Sequence, residues 1–272
     1  MMYFYTLASS SAGNAALLCS GSTRLLIDAG ISYTRIRRSL GELGLPVDGL
    51  DAILITHAHT DHTAGLATLI KRHHVPIRCS EETGLLLRAQ LPGVEPLLAP
   101  FPLGTQFRVG DCRVASVPTS HDCRGSTGFR IDSAGCSFGI LTDTGVLPAA
   151  ARSLLGVDLL VLESNHDVET LRSGPYPYAL KRRVLGDAGH LSNDLAAQFA
   201  AASARAGTGE IVLAHLSREN NTPQMALNTV GRALEAAGWH GRLTVAPRDT
   251  RSACYTVEVQ ECSESWLSAS EN

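Results

Sequence analysis

The chain has 272 residues, of which 44% are hydrophobic and 18% charged, a composition typical of an ordinary soluble protein. Its formal net charge of -3 at pH 7 argues against a protein that coats nucleic acid through overall basic charge, and it is compatible with a local basic patch. The seven cysteines are scattered and never spaced as CxxC, which excludes a disulfide framework and a zinc ribbon and indicates a reducing cytoplasm.

Short apolar runs alternate with helical patterns along the chain. Runs rich in Val, Ile and Leu predict strands at residues 24–28, 51–55, 112–117, 139–142, 158–162, 210–214 and 255–259. Apolar spacing typical of helices, with capping residues before the later ones, predicts helices at residues 33–43, 64–73, 81–90, 193–206 and 223–237. Both halves of the chain therefore contain strands accompanied by helices.

This alternation predicts an α/β fold, and it fits two sheets packed face to face with helices outside. No low-complexity linker divides the chain, so we expect one domain over residues 1–272. No apolar run reaches about 18 residues and no basic region precedes the first apolar residues, so we expect neither a membrane span nor a signal peptide. The one unusual segment is residues 170–189, where Gly, Pro and Tyr precede a Lys-Arg-Arg run.

The stretch ITHAHTDHTAG, residues 55–65, concentrates three histidines and one aspartate within six positions. It follows a predicted strand, and because side chains alternate along an extended chain, His57 and His59 can project to the same side and share one ion. Asp61 and His62 begin the next helix, where they can serve a second ion. Imidazole and carboxylate ligands suit zinc, with manganese or iron as competitors.

Each ion needs further ligands, and three candidates follow predicted strands. They are His121 in VPTSHD, Asp143 in LTDTG and His215 in VLAHLS. Loops from the ends of neighbouring strands converge on one edge of a sheet, so these side chains can reach the same place.

The combination of HAHTDH, a downstream histidine, TDTG and a late strand-end histidine resembles the metallo-β-lactamase fold, a four-layer αββα sandwich. By analogy with dinuclear members, His57, His59 and His121 would bind one ion, Asp61, His62 and His215 the other, and Asp143 would bridge them. The motifs SSSAGNA, LLIDAG, ESNHDVETLRSGPYPYALKRRVLGDAGHLSND and LAHLSRENN resemble more narrowly the YycJ (WalJ) family, over nearly the whole chain. That resemblance implies a metal-dependent 5′-exonuclease acting on DNA.

Two divalent cations, two aspartates and one hydroxide leave a residual charge of about +1, which favours an anionic phosphodiester. Asp61 could bind metal and also orient the attacking hydroxide. Departure of a sugar oxygen needs a proton, and His190 with Glu163 as its carboxylate partner resembles the donor pair of phosphodiesterases such as ribonuclease Z. A helix-capping or core role remains the alternative for His190.

Substrate contacts are predicted at two places. Ser11 and Asn14, in the small-residue SSSAGN turn, could let backbone N–H groups approach a phosphate, although a plain turn explains them nearly as well. Lys181, Arg182 and Arg183 combine with nearby tyrosines as in single-strand binders, or form a solvated basic helix face.

Three other functions share this metal chemistry. A small-molecule phosphodiesterase, for example one acting on cyclic phosphates, is the main alternative, followed by a thioester hydrolase of the glyoxalase II type and a di-iron oxidoreductase. The interval from Asp143 to His215 is filled by predicted elements, so we expect no inserted β-CASP domain.

Overall fold

The computed structural model describes residues 1–257. It has thirteen strands: β1 (Met2–Ser10), β2 (Gly13–Ser20), β3 (Thr23–Ile27), β4 (Ala52–Leu54), β5 (Ile77–Arg78), β6 (Gln106–Val109), β7 (Cys112–Pro118), β8 (Thr127–Ser133), β9 (Cys136–Leu141), β10 (Leu159–Glu163), β11 (Glu210–Ala214), β12 (Arg242–Val245) and β13 (Tyr255–Val257). Residues 258–259 of the last predicted strand lie outside the described part.

Residues 1–257 contain eight helices: α1 (Tyr33–Glu42), α2 (Thr60–Thr63), α3 (Leu66–Leu69), α4 (Glu81–Gln90), α5 (Val168–Ser173), α6 (Tyr178–Leu185), α7 (Asn193–Arg205) and α8 (Pro223–Ala236). Within the described residues, short 3-10 turns lie at Val47–Gly49, Glu95–Leu97 and Ala149–Leu154. No helix in residues 1–257 combines the length and the apolar character that a membrane crossing requires.

The strands form two mixed sheets. One sheet has the order β13-β1-β2-β3-β4-β5 and the other β12-β11-β10-β9-β8-β7-β6. In the second sheet β9, β10, β11 and β12 run parallel, with Leu159 of β10 opposite Phe138 of β9 and Glu210 of β11. The carboxyl ends of these strands therefore meet at one edge of the sheet.

Alternating side chains divide the apolar residues into three cores. In β3, Leu25 and Ile27 join the cluster between the two sheets, whereas Leu26 faces the helices outside the first sheet. In β10, Val161 faces the inner cluster and Leu162 packs with α7 and α8 outside the second sheet. Each sheet therefore packs on its partner through one face and on helices through the other, which gives a four-layer αββα sandwich. The predicted fold class is confirmed.

The predicted helix at residues 64–73 is wrong in its bounds. Helix α2 begins earlier, at Thr60, and a break separates it from α3. Gly65 causes the break because it packs against the chain after β3: its N–H donates to Ala29 O across 2.8 Å, and a Cβ there would collide with the carbonyl oxygen of Ile31. The unusual segment at 170–189 contains the end of α5 and all of α6, joined by a Gly- and Pro-containing turn.

Four non-glycine residues in the described part of the chain adopt left-handed backbone conformations: Ala134 in the turn between β8 and β9, and three residues at the ends of buried strands. Asp28, Asp143 and His215 have φ of 59°, 56° and 56°, a region that residues with a Cβ rarely occupy. Each follows a buried strand directly or within two residues, and each side chain is nearly fully buried. This strained geometry brings Asp143 within 3.5 Å of His215 and Asp28 within 2.7 Å of the nearby His62.

Candidate metal centre

Three histidines from two loops form the first group of donor atoms. Nε2 of His57 lies 3.1 Å from Nδ1 of His59, and Nε2 of His121 lies 3.3 Å from the same Nδ1. The loop after β4 supplies the first two residues and the loop after β7 supplies the third. Ring nitrogens that converge in this way fit a shared cation, as the HAHTDH motif predicts.

The second group consists of Asp61, His62 and His215. Asp61 Oδ2 lies 3.4 Å from His62 Nε2 and 3.5 Å from His215 Nε2. Helix α2 carries the first two residues and β11 ends immediately before the third. Two imidazoles and one carboxylate therefore face a second common point.

Asp143 lies between the two groups. Its Oδ2 is 3.3 Å from His62 Nε2, and its Oδ1 is 3.9 Å from His121 Nε2. Its carboxylate therefore lies within reach of both groups.

Two buried atoms at this centre test whether the donor set fits a cation. Asp143 Oδ2 and His215 Nε2 are buried and accept or donate no hydrogen bond among the described residues. A buried polar atom without a partner is costly, and a divalent cation would satisfy both atoms. With these donor groups, the residues fit divalent metal.

Asp28 supports the second group from behind and was missed by the sequence reasoning. Its Oδ2 lies 2.7 Å from His62 Nδ1, and Thr56 donates to the same carboxylate through its N–H and its hydroxyl. Burial acts to lower the pKa of His62, but the charge of Asp28 holds that pKa well above its ordinary value. A carboxylate on the nitrogen opposite the metal-facing one fixes the orientation of such a histidine.

One carboxylate oxygen of Glu163, at the end of β10, contacts two histidines. Oε1 lies 2.8 Å from His190 Nδ1 and 2.9 Å from His215 Nδ1, while Oε2 accepts the N–H groups of Leu191 and Thr144. Burial acts to raise the pKa of Glu163, but the charge of His190 and these hydrogen bonds hold it at about 2. Glu163 is therefore an ionised hydrogen-bond acceptor, and the structure brings the predicted Glu163 and His190 into contact.

A cleft of about 160 Å³ opens beside His190 and His121. Ser11 and Arg183 are among its lining residues, together with Asn165, Tyr176 and Asn220. Of the other predicted substrate residues, Asn14 is buried and its Nδ2 lies 3.1 Å from His62 Nε2. Its Nδ2 also donates to Ser10 O across 2.9 Å, so Asn14 is packed beside the donor residues and is not among the residues that line the cleft.

Lys181 and Arg182 lie on α6 but are not among the residues that line the cleft. Lys181 Nζ donates to Arg172 O across 2.7 Å, and the guanidinium of Arg182 lies 5.9 Å from the ring centroid of Tyr178. Tyr178 is 76% exposed, so this basic and aromatic surface is open to solvent.

Comparison with known proteins places the chain in a family. A family model described as a beta-lactamase superfamily domain matches residues 23–216. Exodeoxyribonuclease YycJ of Bacillus anthracis is 33% identical over 88% of this chain and 91% of that protein. Exodeoxyribonuclease WalJ of Streptococcus pneumoniae is 36% identical over 85% of this chain and 87% of that protein. The chain belongs to the YycJ and WalJ family of the metallo-β-lactamase superfamily.

The YycJ and WalJ family assignment agrees with the architecture. The metallo-β-lactamase fold protein YhfI of Bacillus subtilis has a TM-score of 0.70 to this chain at 18% identity, covering 94% of this chain and 100% of YhfI. At that identity the likeness concerns the fold. The fold and the donor groups together indicate that this family member binds divalent metal.

Proposed function

We propose that the chain is a metal-dependent phosphodiesterase that acts as a 5′-exonuclease on DNA. The observation that carries this proposal is the hydrogen-bonded pair of His190 and Glu163, which stands at the cleft beside the two donor groups. A proton donor in this place suits the departure of a sugar oxygen, which needs a proton. The names of the YycJ and WalJ relatives support the choice of DNA as substrate.

The proposed ligands divide into two sets. His57, His59 and His121 hold one divalent ion, Asp61, His62 and His215 hold the other, and Asp143 is shared. The distances within each group and the unpartnered Oδ2 of Asp143 support this division. Zinc or manganese suits such ligands, with iron as a further possibility.

When bound, the two ions supply positive charge to the phosphoryl oxygens and a nucleophile derived from water. The chain's own residues orient the reaction. Asp61 Oδ2 lies within 3.5 Å of both His62 Nε2 and His215 Nε2, and in this proposal its carboxylate orients the attacking nucleophile. Nδ1 of His190 hydrogen-bonds to Glu163, so Nε2 is the nitrogen that can donate a proton to the leaving oxygen.

The substrate strand occupies the cleft in this proposal. Ser11 and Arg183 contact its phosphates, and the surface of Lys181 and Arg182 extends the contact outward. Asn14 acts indirectly, through the contact of its Nδ2 with the backbone oxygen of Asp61. The segment from Asp143 to His215 contains β10, α5, α6, α7 and β11, which supports a single domain without an inserted β-CASP clamp.

We also place the protein in the cytoplasm. The six cysteines in residues 1–257 are all free, as expected of a reducing compartment.

A substrate panel tests the proposed reaction. The protein loaded with zinc or manganese is incubated with 5′- and 3′-labelled single- and double-stranded DNA and RNA, and separately with bis-p-nitrophenyl phosphate and a glutathione thioester. We expect release of mononucleotides from the 5′ end of DNA, and no release by an Asp61→Ala variant. Hydrolysis of bis-p-nitrophenyl phosphate without any cleavage of polymer would favour a small-molecule phosphodiesterase, and thioester hydrolysis alone would contradict the proposal.

A further inference from the structure

Asp122 follows His121 in the chain and contacts two residues of different elements. Its Oδ1 lies 3.4 Å from Nε2 of His59, and its Oδ2 accepts a hydrogen bond from Nε of Arg183 across 2.6 Å. Arg183 is on α6, the helix that forms one side of the cleft. The carboxylate therefore connects α6 to the first group of histidines.

The two nitrogens of His59 have different surroundings. Nδ1 faces His57 Nε2 at 3.1 Å and His121 Nε2 at 3.3 Å, so Nδ1 is the nitrogen directed at the donor group. Nε2 is on the far side of the ring, where Asp122 lies. A carboxylate on the far nitrogen of a metal-binding histidine fixes the tautomer and the ring orientation.

The same arrangement occurs twice in the second group. Asp28 lies 2.7 Å from the far nitrogen of His62, and Glu163 lies 2.9 Å from the far nitrogen of His215. Both carboxylates are buried, whereas the side chains of Asp122 and His59 are each 32% exposed. A carboxylate in the open needs an anchor to hold its direction, and Arg183 supplies one.

We propose that Asp122 is a positioning residue that orients His59, and that Arg183 anchors Asp122 in this role. The inference rests on the proposed function of His59 as a metal ligand. It gives Arg183 a task different from those of Lys181 and Arg182, because Arg183 acts on the metal centre as well as on the cleft. Substrate bound to α6 is then connected to the proposed ligand His59 through the ion pair between Arg183 and Asp122.

The charge of Asp122 suits this task. Its Oδ2 accepts a hydrogen bond from the guanidinium of Arg183, which stabilises the ionised form of the carboxyl. The carboxylate is therefore negative at neutral pH. Loss of such a partner typically reduces metal affinity or activity by about 10–100-fold.

A direct role as ligand is the competing interpretation, because Asp122 Oδ1 also lies 3.5 Å from His121 Nε2. The two roles differ in the number of ions that the protein holds. Removal of a positioning carboxylate weakens one site, which still fills when zinc is in excess. Removal of a ligand together with its charge leaves that site empty at the same zinc concentration.

The experiment titrates the full-length, metal-stripped protein with Zn²⁺ in competition with a chromophoric chelator. The variants are Asp122→Ala, Asp122→Asn and Arg183→Ala. Asp187→Asn is the charge-matched control on the neighbouring exposed loop, and Arg182→Ala is the control on the same helix. Circular dichroism shows that each variant is folded.

We expect wild type to bind two ions. Asp122→Ala weakens one of them by about 10–100-fold while both sites still fill at saturation. Asp122→Asn keeps an oxygen acceptor for His59, so its loss of zinc affinity is smaller. Arg183→Ala loses zinc affinity at the same site. Both controls bind zinc with the affinity of wild type.

Unchanged affinity in Asp122→Ala, or loss of one ion at saturating zinc, would overturn the positioning role while leaving the proposed function intact. A wild-type chain that binds no zinc would instead overturn the proposed function on which this inference rests.

Discussion

The buried carboxylate of Glu163 accepts a hydrogen bond from Nδ1 of His190 across 2.8 Å. The same oxygen lies 2.9 Å from Nδ1 of His215. One fully buried side chain therefore orients both the proposed proton donor and a proposed metal ligand. A variant of His190 should therefore lose turnover alone, whereas a variant of Glu163 should lose both turnover and zinc affinity.

Replacement of His190 by alanine should reduce kcat by about 100–10,000-fold, the usual contribution of a general acid, and leave metal content unchanged. Turnover of labelled DNA and the zinc content of the dialysed protein measure the two effects. His73→Ala is a matched control, because His73 hydrogen-bonds to Tyr33 and Asp48 rather than to the residues of the cleft. Normal turnover by His190→Ala would show that His190 is a structural residue.

Replacement of Glu163 by glutamine should disturb both functions. The amide cannot accept from His190 and His215 with the strength of a carboxylate, so zinc affinity at one site should fall by about 10–100-fold and kcat should fall as well. Zinc titration and single-turnover kinetics measure the two quantities on the same preparation. A variant that loses turnover but keeps full zinc affinity would separate Glu163 from His215.

Replacement of Lys181, Arg182 and Arg183 together by alanine should weaken binding of single-stranded DNA and flatten its dependence on salt. Each lost phosphate contact reduces the slope of log K against log salt by about 0.7. Fluorescence anisotropy at several salt concentrations, on Asp61→Ala protein that does not cleave, measures the slope. A Lys181→Ala/Arg182→Ala double variant keeps the Arg183 to Asp122 contact, and an unaltered slope in both would show that α6 carries only a solvated basic face.

Gly30 and Gly41 offer a matched pair of glycine substitutions. A Cβ on Gly30 would overlap the backbone oxygen of Asp61, whereas a Cβ on Gly41 in α1 meets nothing within 4 Å. Gly30→Ala should lower the free energy of unfolding by about 1–3 kcal/mol and should also weaken zinc binding. Gly41→Ala should raise the free energy of unfolding by about 0.5–1 kcal/mol. Urea unfolding checks both values, and a fully tolerated Gly30→Ala would contradict the close packing beside Asp61.

Cysteine reactivity tests the packing of two of the cores. Cys112 lies in the core between the sheets and Cys79 in the core outside the first sheet. Burial raises the pKa of Cys79 to about 12 and that of Cys112 to about 11, so both remain thiols at pH 8.5. Iodoacetamide at that pH should modify the half-exposed Cys254 in the native protein and spare the other two until denaturant is added. Peptide mapping by mass spectrometry resolves each site, and equal modification of Cys79 and Cys254 would contradict the packing.

Much of this architecture follows from local pattern. The predicted strand at residues 210–214 and the predicted helix at residues 81–90 have the bounds that the structure shows. His121, Asp143 and His215 could be chosen because each stands just beyond an apolar strand, and the ends of such strands meet at one edge. Their roles as metal ligands stay predictions.

The rest depends on contacts between distant parts of the chain. Asp28 is 34 positions from His62, and Asp122 is 63 positions from His59, so no local spacing identifies either carboxylate as a partner. The break at Gly65 is set by its packing against Ala29 and Ile31, which helical periodicity cannot register. Short strands such as β5 and β12 form because a neighbouring strand offers a parallel partner rather than because of their own residues.

The metal dependence of DNA degradation tests the central claim most directly. A time course follows mononucleotide release from 5′-labelled single-stranded DNA with the purified protein, after chelator treatment and after zinc or manganese is restored. We predict that release stops on chelation, returns with the metal, and is absent in Asp143→Ala, whose carboxylate is proposed to be shared by the two ions. Undiminished release by the chelated protein, or no release from any DNA by the metal-loaded wild type, would contradict the account.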